Sequence, residues 1–497
     1  MFQRGVPVTD QKTQSGLSAS TVHRGAFAVI GFLAASELTS GLIQTWYIPL
    51  LGQIGQKFTA NPAQLNWVQA SYLLSTVVCV PLLAKLGDKY GHRRMVLIVL
   101  GTVTVGTVMT ALAPSFGIFL LGRIIQGTLG ALLPLELAIL RERAGAGAGR
   151  AIGILVGCLG AGGAIGTLLA GILGTNANLT LVLLLPAVLA LASLVLIAYF
   201  VPETSSRTTG SIDWIGAALL GVGLAVFLVG ISNGNKLGWT STTTLMTIGG
   251  GAVLLVAFVA TEKKISTPLV DLSLLTKGGV GFLLGLTSIF GVQFYGSAAV
   301  AALYYSAKPD IVGYGFGLDS MGIALAISPA PLALMISSSF ADSFSRRVGT
   351  RTALQLSSLL IAVWFCGLIA FRHNLPAFIS MGIIGGLGTG IFVALLPALV
   401  ISRARPEDSA IAGALYNTSR TMAGAIAGAA FAAIMSGMLM SGSKIPSESA
   451  FITIWAVCIG VCVLIFALVP FLNKLGGKAY QPESPEQVID HPVRESS

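Results

Sequence analysis

Residues 84–94 read Ala84-Lys-Leu-Gly-Asp-Lys-Tyr-Gly-His-Arg-Arg94, a short basic loop that separates two long apolar runs. A shorter stretch of the same kind, Ala341-Asp-Ser-Phe-Ser-Arg-Arg347, lies between two apolar runs much later in the chain. Similar stretches that recur in one order along a chain indicate an internal repeat. The two loops therefore predict two similar halves, each built from the same succession of apolar segments.

Two further pairs of stretches support the repeat. Gly127-Thr-Leu-Gly-Ala-Leu-Leu-Pro134 corresponds to Gly390-Ile-Phe-Val-Ala-Leu-Leu-Pro397, and Gly162-Gly-Ala-Ile-Gly166 corresponds to Ala423-Gly-Ala-Ile-Ala-Gly428. All the pairs keep their order. Two similar bundles that pivot about a central site would expose that site to each side of a membrane in turn.

The composition predicts that the apolar segments are membrane helices. The chain has 497 residues, of which 54% are hydrophobic and only 10% charged, with a mean hydropathy of +0.85. Soluble domains carry about 25% charged residues. The apolar runs exceed the roughly 20 residues that a helix needs to cross a bilayer, and they lack the alternation of a β-barrel strand. We therefore expect an all-α membrane protein and no soluble enzyme.

Fourteen segments are predicted to span the membrane, and the distribution of positive charge predicts their orientation. Of the 29 Lys and Arg residues, few fall in the predicted outer loops: Lys57, Lys236, Lys308, Arg372 and Lys444. Positive charge marks the cytosolic side, so both termini are predicted to be cytosolic. The net charge of +10 is then a sign of topology, and nucleic-acid binding is not expected.

The chain is predicted to have five parts. A cytosolic N-terminal tail is expected at residues 1–23 and a six-helix bundle at 24–200. Two inserted spans with cytosolic linkers follow at 201–276, and a second six-helix bundle occupies 277–473. The remainder, 474–497, is rich in Pro, Glu and Ser and is predicted to be a disordered cytosolic tail.

The loop at residues 84–94 resembles motif A of the major facilitator superfamily. Leu120-Leu-Gly-Arg-Ile-Ile-Gln-Gly127 is similar to motif B of the same superfamily, and it lies in the fourth predicted span, as that motif does. Fourteen spans with a central insertion resemble the drug:proton antiporter branch. The resemblance covers roughly residues 24–473 and implies two pseudo-symmetric six-helix bundles that work by alternating access.

The resemblance also implies a role for the motif A loop. In the superfamily this loop holds the two halves together in the outward-open state. The matching positions here, expected to form a conformational latch, are Gly87, Asp88, Gly91, Arg93 and Arg94. Physically, a carboxylate such as Asp88 can cap a helix N-terminus and accept hydrogen bonds from an arginine.

The first predicted span carries the strongest candidate for proton coupling. Glu37 lies near its middle, where a charge costs about 2.5–3.5 kcal/mol. Ser40, Gly41 and Gln44 follow at helical spacing on one face, so this face is expected to line a cavity. Removal from water favours the protonated form of a carboxyl group, and Glu37 is therefore predicted to exchange a proton. A buried glutamate paired for structure is the alternative.

The fourth span carries Arg123, with Gln126 on the same face. By resemblance to motif B, Arg123 is expected to lie close to the coupling carboxyl group and to control its protonation. An arginine that only bridges helices is the alternative. Glu136, near the cytosolic end of this span, is a candidate for the substrate cavity or a proton relay, and otherwise an interfacial residue paired with Arg141 or Arg143.

Arg420 lies near mid-depth in the thirteenth span, with Asn417 on its face. We expect Arg420 to contact an anionic or carbonyl group of the substrate, or to pair with an acid in one state; an internal structural ion pair is the alternative. Further polar groups predicted to line the substrate cavity are Gln69 and Tyr72 on the second span and Gln293 and Ser297 on the ninth.

Together these features predict a proton-coupled exporter of small amphiphilic compounds, of multidrug type, in the plasma membrane. The expected partners are the substrate, protons and the lipid bilayer, and the chain is expected to act as a monomer without cofactor or metal. Gly162-Gly-Ala-Ile-Gly-Thr167 lacks the proline of the antiporter motif, which favours a rival, a dedicated exporter of one metabolite, antibiotic or lipid. The sequence is also compatible with import, with facilitated diffusion and with a non-transporting receptor.

Overall fold

The structure is a computed structural model of the chain, and it describes residues 29–144, 148–204, 207, 212–265, 268–269, 279–403, 409–443 and 445–472. The tails predicted at 1–23 and 474–497 lie outside these residues. Lys444 and most of the linker that follows the inserted spans also lie outside them.

The described chain folds as a succession of α-helices, as its composition predicts. Short 3₁₀ segments interrupt or extend them at Gly127–Ala131 and Val469–Phe471. The α-helices are α1 (29–45), α2 (Leu51–Phe58), α3 (Pro62–Tyr90), α4 (His92–Ala111), α5 (Phe116–Gln126), α6 (Leu132–Ala144), α7 (Ala148–Asn176), α8 (Leu179–Phe200), α9 (Trp214–Leu237), α10 (Thr242–Glu262), α11 (Val280–Gly296), α12 (Ala298–Ser306), α13 (Pro309–Val312), α14 (Ser320–Ile327), α15 (Pro329–Val348), α16 (Thr350–Ala370), α17 (Leu375–Arg403), α18 (Ser409–Gly437) and α19 (Glu448–Leu468).

Within the described residues, 12 helical stretches are long and apolar enough to cross a membrane. They confirm a multi-pass membrane protein. The two predicted spans outside this set are the first, of which the structure describes 29–45, and the thirteenth, which corresponds to α18. Arg420, Asn417 and neighbouring Ser and Thr residues dilute the apolar character of α18. The count of fourteen spans stays a prediction.

Several spans are broken where sequence analysis predicts continuous helices. The first continues past the turn at 46–50 into α2, and the fourth passes through the 3₁₀ segment Gly127–Ala131. The ninth is interrupted at Ser297 and the tenth at Ser328, immediately before Pro329. A proline cannot donate a backbone hydrogen bond, so it is favoured at the first position of a new helical segment.

The helices of the two halves meet along a few seams. α3 packs against α18, α7 against α14 and α15, and α2 and α3 against α12. The inserted helix α9 packs against α10 and also contacts both α3 and α18. Asn235 of α9 donates to the backbone oxygen of Ala433 on α18. α9, which falls in the predicted insertion, thus contacts helices of both predicted halves.

Candidate functional site

A pair of buried carboxyl groups lies in the first half of the chain. Glu37 comes from α1 and Glu136 from α6, and both side chains are fully buried. The two carboxyl groups face each other, with Ser36 beside Glu136. Among the described residues, none of the four carboxyl oxygens has a hydrogen-bond partner of ordinary geometry. Because a buried charge without a partner is costly, two ionised carboxylates in this position would be strongly unfavourable.

The pair corrects two expectations about its members. Glu136 is fully buried with Glu37 as its described charged neighbour, and the side chains of its predicted partners Arg141 and Arg143 lie outside the described residues. Glu37 itself has Glu136, and not Arg123, as its described charged neighbour. The sequence therefore identifies both acids but does not bring them together.

Close contact between α1 and α7 fixes the position of Glu37. A side chain at Gly41 would collide with the backbone of Leu159, and one at Gly162 would collide with the backbone of α1. Thr45 Oγ1 donates to the backbone oxygen of Gly163 over 2.7 Å. Glycines allow backbones to approach this closely. The Gly41 edge of α1 is thus used for packing on α7, although sequence analysis places it on a cavity face.

Two other polar residues share that face, which is predicted to line a cavity. Ser40 is buried, and Gln44 is partly exposed. Gln44 Nε2 donates to Ser40 Oγ over 3.2 Å. One turn of α1 therefore presents a linked polar pair next to the buried acid.

Arg123 lies at the end of α5 in a fully buried aromatic environment. Its guanidinium carbon is 4.1 Å from the ring centre of Tyr47 and 4.9 Å from that of Tyr72. Nε donates to the backbone oxygen of Val68 over 3.0 Å, and Nη1 donates to Gln126 Oε1 over 2.5 Å. Stacking of a cation on aromatic faces is favourable, more so away from water. Arg123 is thus held by neutral groups within its own half.

Gln126 and the 3₁₀ segment Gly127–Ala131 connect the surroundings of Arg123 to α3 and α4. Gln126 Nε2 donates to the hydroxyl of Tyr47 over 2.7 Å and to Thr107 over 3.0 Å. Gly127 lies directly against α3, and its backbone oxygen accepts from Thr76 over 3.0 Å. A side chain at Gly127 would collide with α3. The motif B stretch is therefore closely packed against α3.

Tyr72 connects the acid pair, Arg123 and the second half of the chain. Its phenol is buried on α3, and it interacts electrostatically with Arg123, Glu37 and Tyr295. Tyr72 and Tyr295 belong to different halves. Tyr72 therefore lies where a central site between the halves is expected.

Arg420 on α18 lies on the other side of this junction. Its guanidinium carbon is 4.9–5.2 Å from the ring centres of Phe294, Tyr295 and Tyr416. Nη2 donates to the hydroxyl of Tyr295 over 3.2 Å and to Asn417 Oδ1 over 3.3 Å, and Nη1 donates to Tyr416 over 3.5 Å. Nε is buried without a hydrogen-bond partner in the described structure. The described contacts of this cation are all with neutral groups, and the side chain is partly exposed.

Three other predicted cavity residues lie on α3, α11 and the start of α12. Gln69 is partly exposed, whereas Gln293 and Ser297 are buried. Ser297 donates to the backbone oxygen of Gln293 over 2.6 Å, at the break between α11 and α12. Gln293 Nε2 has no described partner, so this amide is available to a ligand that reaches the break.

The motif A loop is braced by residues that sequence analysis did not identify. The carboxylate of Glu203, just after α8, accepts from the backbone N–H groups of Arg93 and Arg94 over 2.9 and 3.1 Å. Gly91 has a φ of 108°, which favours glycine, and a side chain there would come within 2.6 Å of Glu203. His92 Nδ1 lies 3.2 Å from the hydroxyl of Thr204. In the sequence, the available signal for this contact was Glu203 itself, an acid one residue after Pro202 at the end of a predicted span.

The other latch candidates also contact their own half. Asp88 Oδ1 lies 3.0 Å from His92 Nε2, one helical turn away. A side chain at Gly87 would come within 2.6 Å of Leu135 on α6. The guanidinium of Arg93 donates to the backbone oxygen of Ala198. The described contacts thus tie the loop to α6 and to the end of α8.

No metal site is evident in the part of the chain that the structure describes. Within those residues, no three His, Cys, Asp or Glu side chains come together in a group that could hold a metal ion. The candidate site comprises a buried acid pair, a buried stacked cation and a partly exposed cation.

Comparison with protein families identifies one match. The model of the family described as Major Facilitator Superfamily matches residues 33–429. This range covers both acids, Arg123, Arg420 and the motif A loop.

Curated relatives with this sequence pattern are named as transporters. One is the major facilitator superfamily multidrug transporter mfsC of Aspergillus fumigatus, 28% identical over 79% of this chain and 74% of the relative. The multidrug resistance protein Stp of Mycobacterium tuberculosis is 25% identical over 78% of this chain and 72% of its own. A triacylglyceride transporter of Mycolicibacterium smegmatis is 27% identical over 80% and 72%.

Solved structures with a similar fold are also transporters. The peptide transporter POT in complex with sulfate superposes with a TM-score of 0.66 at 17% identity, covering 92% of this chain and 96% of the other. The nucleoside transporter NupG gives a TM-score of 0.63 at 14% identity, covering 90% and 99%. Similarity at this level extends to the fold alone.

Proposed function

Because this chain belongs to the major facilitator superfamily, we propose that it is a proton-coupled exporter of small amphiphilic organic compounds that works by alternating access. Membrane transporters of this superfamily are not enzymes. The observation that carries the proposal is the buried contact between Glu37 and Glu136, whose oxygens lack described hydrogen-bond partners. The relatives named as multidrug transporters support the substrate class.

The acid pair supports proton coupling on electrostatic grounds. Two carboxylates in contact and away from water repel each other strongly, so the pair holds at least one proton in this conformation. A change of conformation that admits water or separates the two groups releases that proton. Protonation would then favour one conformation of the transporter and deprotonation the other, which is the requirement for coupling.

Arg123 has a positioning role in this proposal. It stacks on Tyr47 and Tyr72, and Tyr72 in turn interacts with Glu37. Movement of α3 past α5 would change the distance from the cation to the acid pair. The arginine of motif B would thus influence the acids through Tyr72 instead of by a direct ion pair.

The contacts between the halves favour an inward-facing conformation. Gln53 Nε2 donates to Ser320 Oγ over 2.9 Å, and Thr175 Oγ1 donates to Asp319 over 3.4 Å and accepts from the backbone N–H of Met321 over 3.1 Å. These residues lie at the end predicted to be outer by charge distribution. The hydrogen bonds described above for the motif A loop lie within its own predicted half.

We retain the full architecture implied by the resemblance as part of the proposal. It comprises fourteen spans, two pseudo-symmetric six-helix bundles at 24–200 and 277–473, and two inserted spans at 201–276. Both termini are placed in the cytosol, in a monomer within the plasma membrane. The contact of α9 with both α3 and α18 supports a place for the insertion beside the seam.

A dedicated exporter of one lipid or metabolite is the second candidate. The relatives named as triacylglyceride transporters favour it. A panel of substrates separates the two, since a multidrug exporter moves several classes and a dedicated exporter moves one. A non-transporting receptor would move none.

Transport by the purified protein in proteoliposomes tests the proposal. Cationic, anionic and neutral amphiphiles are offered with and without an imposed proton gradient. Wild type is expected to accumulate substrate only with the gradient. Glu37→Gln and Glu136→Gln are each expected to lose gradient-driven accumulation by at least about tenfold and to keep downhill flux, because an amide cannot carry the proton.

Asp310→Asn is the matched control, since Asp310 is an exposed acid far from the pair along the chain. It should behave like wild type. Unchanged gradient-driven accumulation in both glutamate variants would refute proton coupling through this pair. Absence of flux for every compound with wild type would refute the exporter itself.

A further inference from the structure

The cluster around Arg420 has a chemistry that the proposed acid pair does not use. Its cation sits among three aromatic rings and an amide, at a depth where an unpaired charge costs about 2.5–3.5 kcal/mol. The described ion pairs of the structure involve other residues. Arg420 is thus a cation in the membrane interior with no described anion to balance it.

The bonds that Arg420 makes leave capacity for a ligand. Its three hydrogen bonds measure 3.2–3.5 Å, and all go to neutral oxygens. The buried Nε has no described partner. A guanidinium binds a planar anion through two parallel N–H groups, and Nε together with one terminal nitrogen forms such a fork.

Accessibility separates this arginine from Arg123. Arg123 is fully buried and holds shorter bonds of 2.5 and 3.0 Å to Gln126 and Val68. Arg420 is partly exposed, as are Asn417 and Tyr295 beside it. Tyr295 also interacts with Tyr72 of the other predicted half, so Arg420 lies next to a residue that connects the two halves.

We propose that Arg420 binds the anionic head of an amphiphile while Phe294, Tyr295 and Tyr416 contact its apolar body. The substrate class is a monovalent organic anion, such as a carboxylate or sulfonate carrying an aromatic or aliphatic group. An anion neutralises the cation, and the rings cover apolar surface of the ligand. This inference rests on the proposed function, and it specifies the substrate of the same site.

The proton and the anion occupy different places in this arrangement. Glu37 interacts with Glu136 and with Tyr72, and Arg420 interacts with Tyr295 and Tyr416. Neither acid is a described electrostatic partner of Arg420. Coupling between the anion and the proton therefore runs through the alternating conformation and not through direct contact.

A binding measurement on the full chain in lipid nanodiscs tests the proposal. Naphthalene-2-sulfonate and (2-naphthyl)trimethylammonium share one ring system and carry permanent opposite charges. Equilibrium dialysis of each labelled probe is expected to give binding of the sulfonate at least about tenfold tighter than binding of the cation. Arg420→Gln should remove this preference, and Arg420→Lys should retain part of it, since a lysine keeps the charge but not the fork.

Arg351→Gln is the matched control, because Arg351 is an exposed arginine at the start of α16. Thermal unfolding of each variant checks that the protein is folded. A sulfonate preference that survives Arg420→Gln in folded protein would overturn the proposal. So would equal binding of both probes, or binding of neither, by folded wild type.

The lipid composition of the nanodisc distinguishes two sources of the anion. Nanodiscs of phosphatidylcholine alone are compared with nanodiscs that also contain phosphatidylglycerol. Equal sulfonate binding in both supports a soluble anion, and loss of binding with phosphatidylglycerol supports an anionic lipid headgroup at Arg420. The assay needs no proton gradient, so its failure leaves proton-coupled transport standing, and failure of the Glu37 and Glu136 variants to change transport leaves anion binding standing.

Discussion

The two halves of the chain hold their intramembrane charges in opposite ways. The first half contains Glu37 and Glu136 in contact, together with an arginine that is fully buried and stacked. The second half contains Arg420, partly exposed and surrounded by neutral groups. In the account proposed here, the first half handles the proton and the second half binds the charge of the ligand, although the sequence repeats suggest similar halves.

The two turns that are predicted to be cytosolic, between α3 and α4 and between α15 and α16, also differ in how they are held. The turn between α3 and α4 is braced by Glu203, which accepts from two backbone N–H groups. At the turn between α15 and α16, Asp342 pairs with Arg346 on its own helix, and both side chains are largely exposed. The first turn is held by Glu203, which follows α8, whereas the described ion pair of the second turn lies within one helix.

The largest effect expected from this division of charge concerns the membrane potential. Export of one monovalent anion in exchange for one proton moves two charges, worth about 4.6 kcal/mol per 100 mV, or roughly a thousandfold in the concentration ratio. Naphthalene-2-sulfonate in proteoliposomes should therefore redistribute steeply when valinomycin and a potassium gradient set the potential. A distribution that ignores the potential would mean that proton and anion cross together.

A second prediction separates the two arginines by their effect on stability. Arg123→Gln leaves the Val68 oxygen and Gln126 without their partner and should cost about 2–4 kcal/mol. Arg420→Gln removes long bonds to neutral oxygens and ring contacts at 4.9–5.2 Å from a partly exposed side chain, and it should cost less, about 1 kcal/mol. Thermal unfolding in one detergent measures both. Equal losses would show that Arg420 is as structural as Arg123.

A third prediction compares the glycines of the two turns. Gly91 has a φ of 108° and Gly349 a φ of 86°, so alanine strains the backbone at both positions by about 1–3 kcal/mol. At Gly91 the new methyl group would also meet the Glu203 carboxyl group, whereas nothing lies within 4 Å at Gly349. Gly91→Ala should therefore lower the unfolding temperature more than Gly349→Ala. The reverse order would contradict the braced turn.

The smallest expected difference concerns the acids at those turns. Glu203→Gln weakens the cap on α4 and should destabilise by about 1 kcal/mol. Asp342→Asn removes an exposed pair within one helix and should change stability by less than about 0.5 kcal/mol. Chemical unfolding of both variants beside wild type measures the difference. Indistinguishable variants would remove the distinction between the two turns.

Much of the fold could be predicted from the sequence, because long apolar runs allow only helices in a bilayer. The costly residues Glu37, Arg123, Glu136 and Arg420 could also be identified, since charges rarely occur in such runs. Their partners could not. The contact between Glu37 and Glu136 depends on how α1 and α6 are placed around α7, which no spacing within one helix encodes.

The aromatic residues around Arg123 and Arg420 were for the most part not predicted from the sequence. Tyr416 lies one turn before Arg420, and this spacing was a usable signal. Tyr47 and Tyr295 reach their arginines from other helices. The helix breaks at Ser297 and Ser328 were also missed, because apolar composition continues through both.

Proton movement during transport tests the central claim most directly. Proteoliposomes that contain the pH indicator pyranine report proton flux while efflux of naphthalene-2-sulfonate down its own gradient is followed in parallel. Wild type is predicted to move protons inward as the probe leaves, and the double variant Glu37→Gln, Glu136→Gln is predicted to release the probe without moving protons. Proton influx that persists in the double variant, or probe efflux from wild type without any proton movement, would contradict the account.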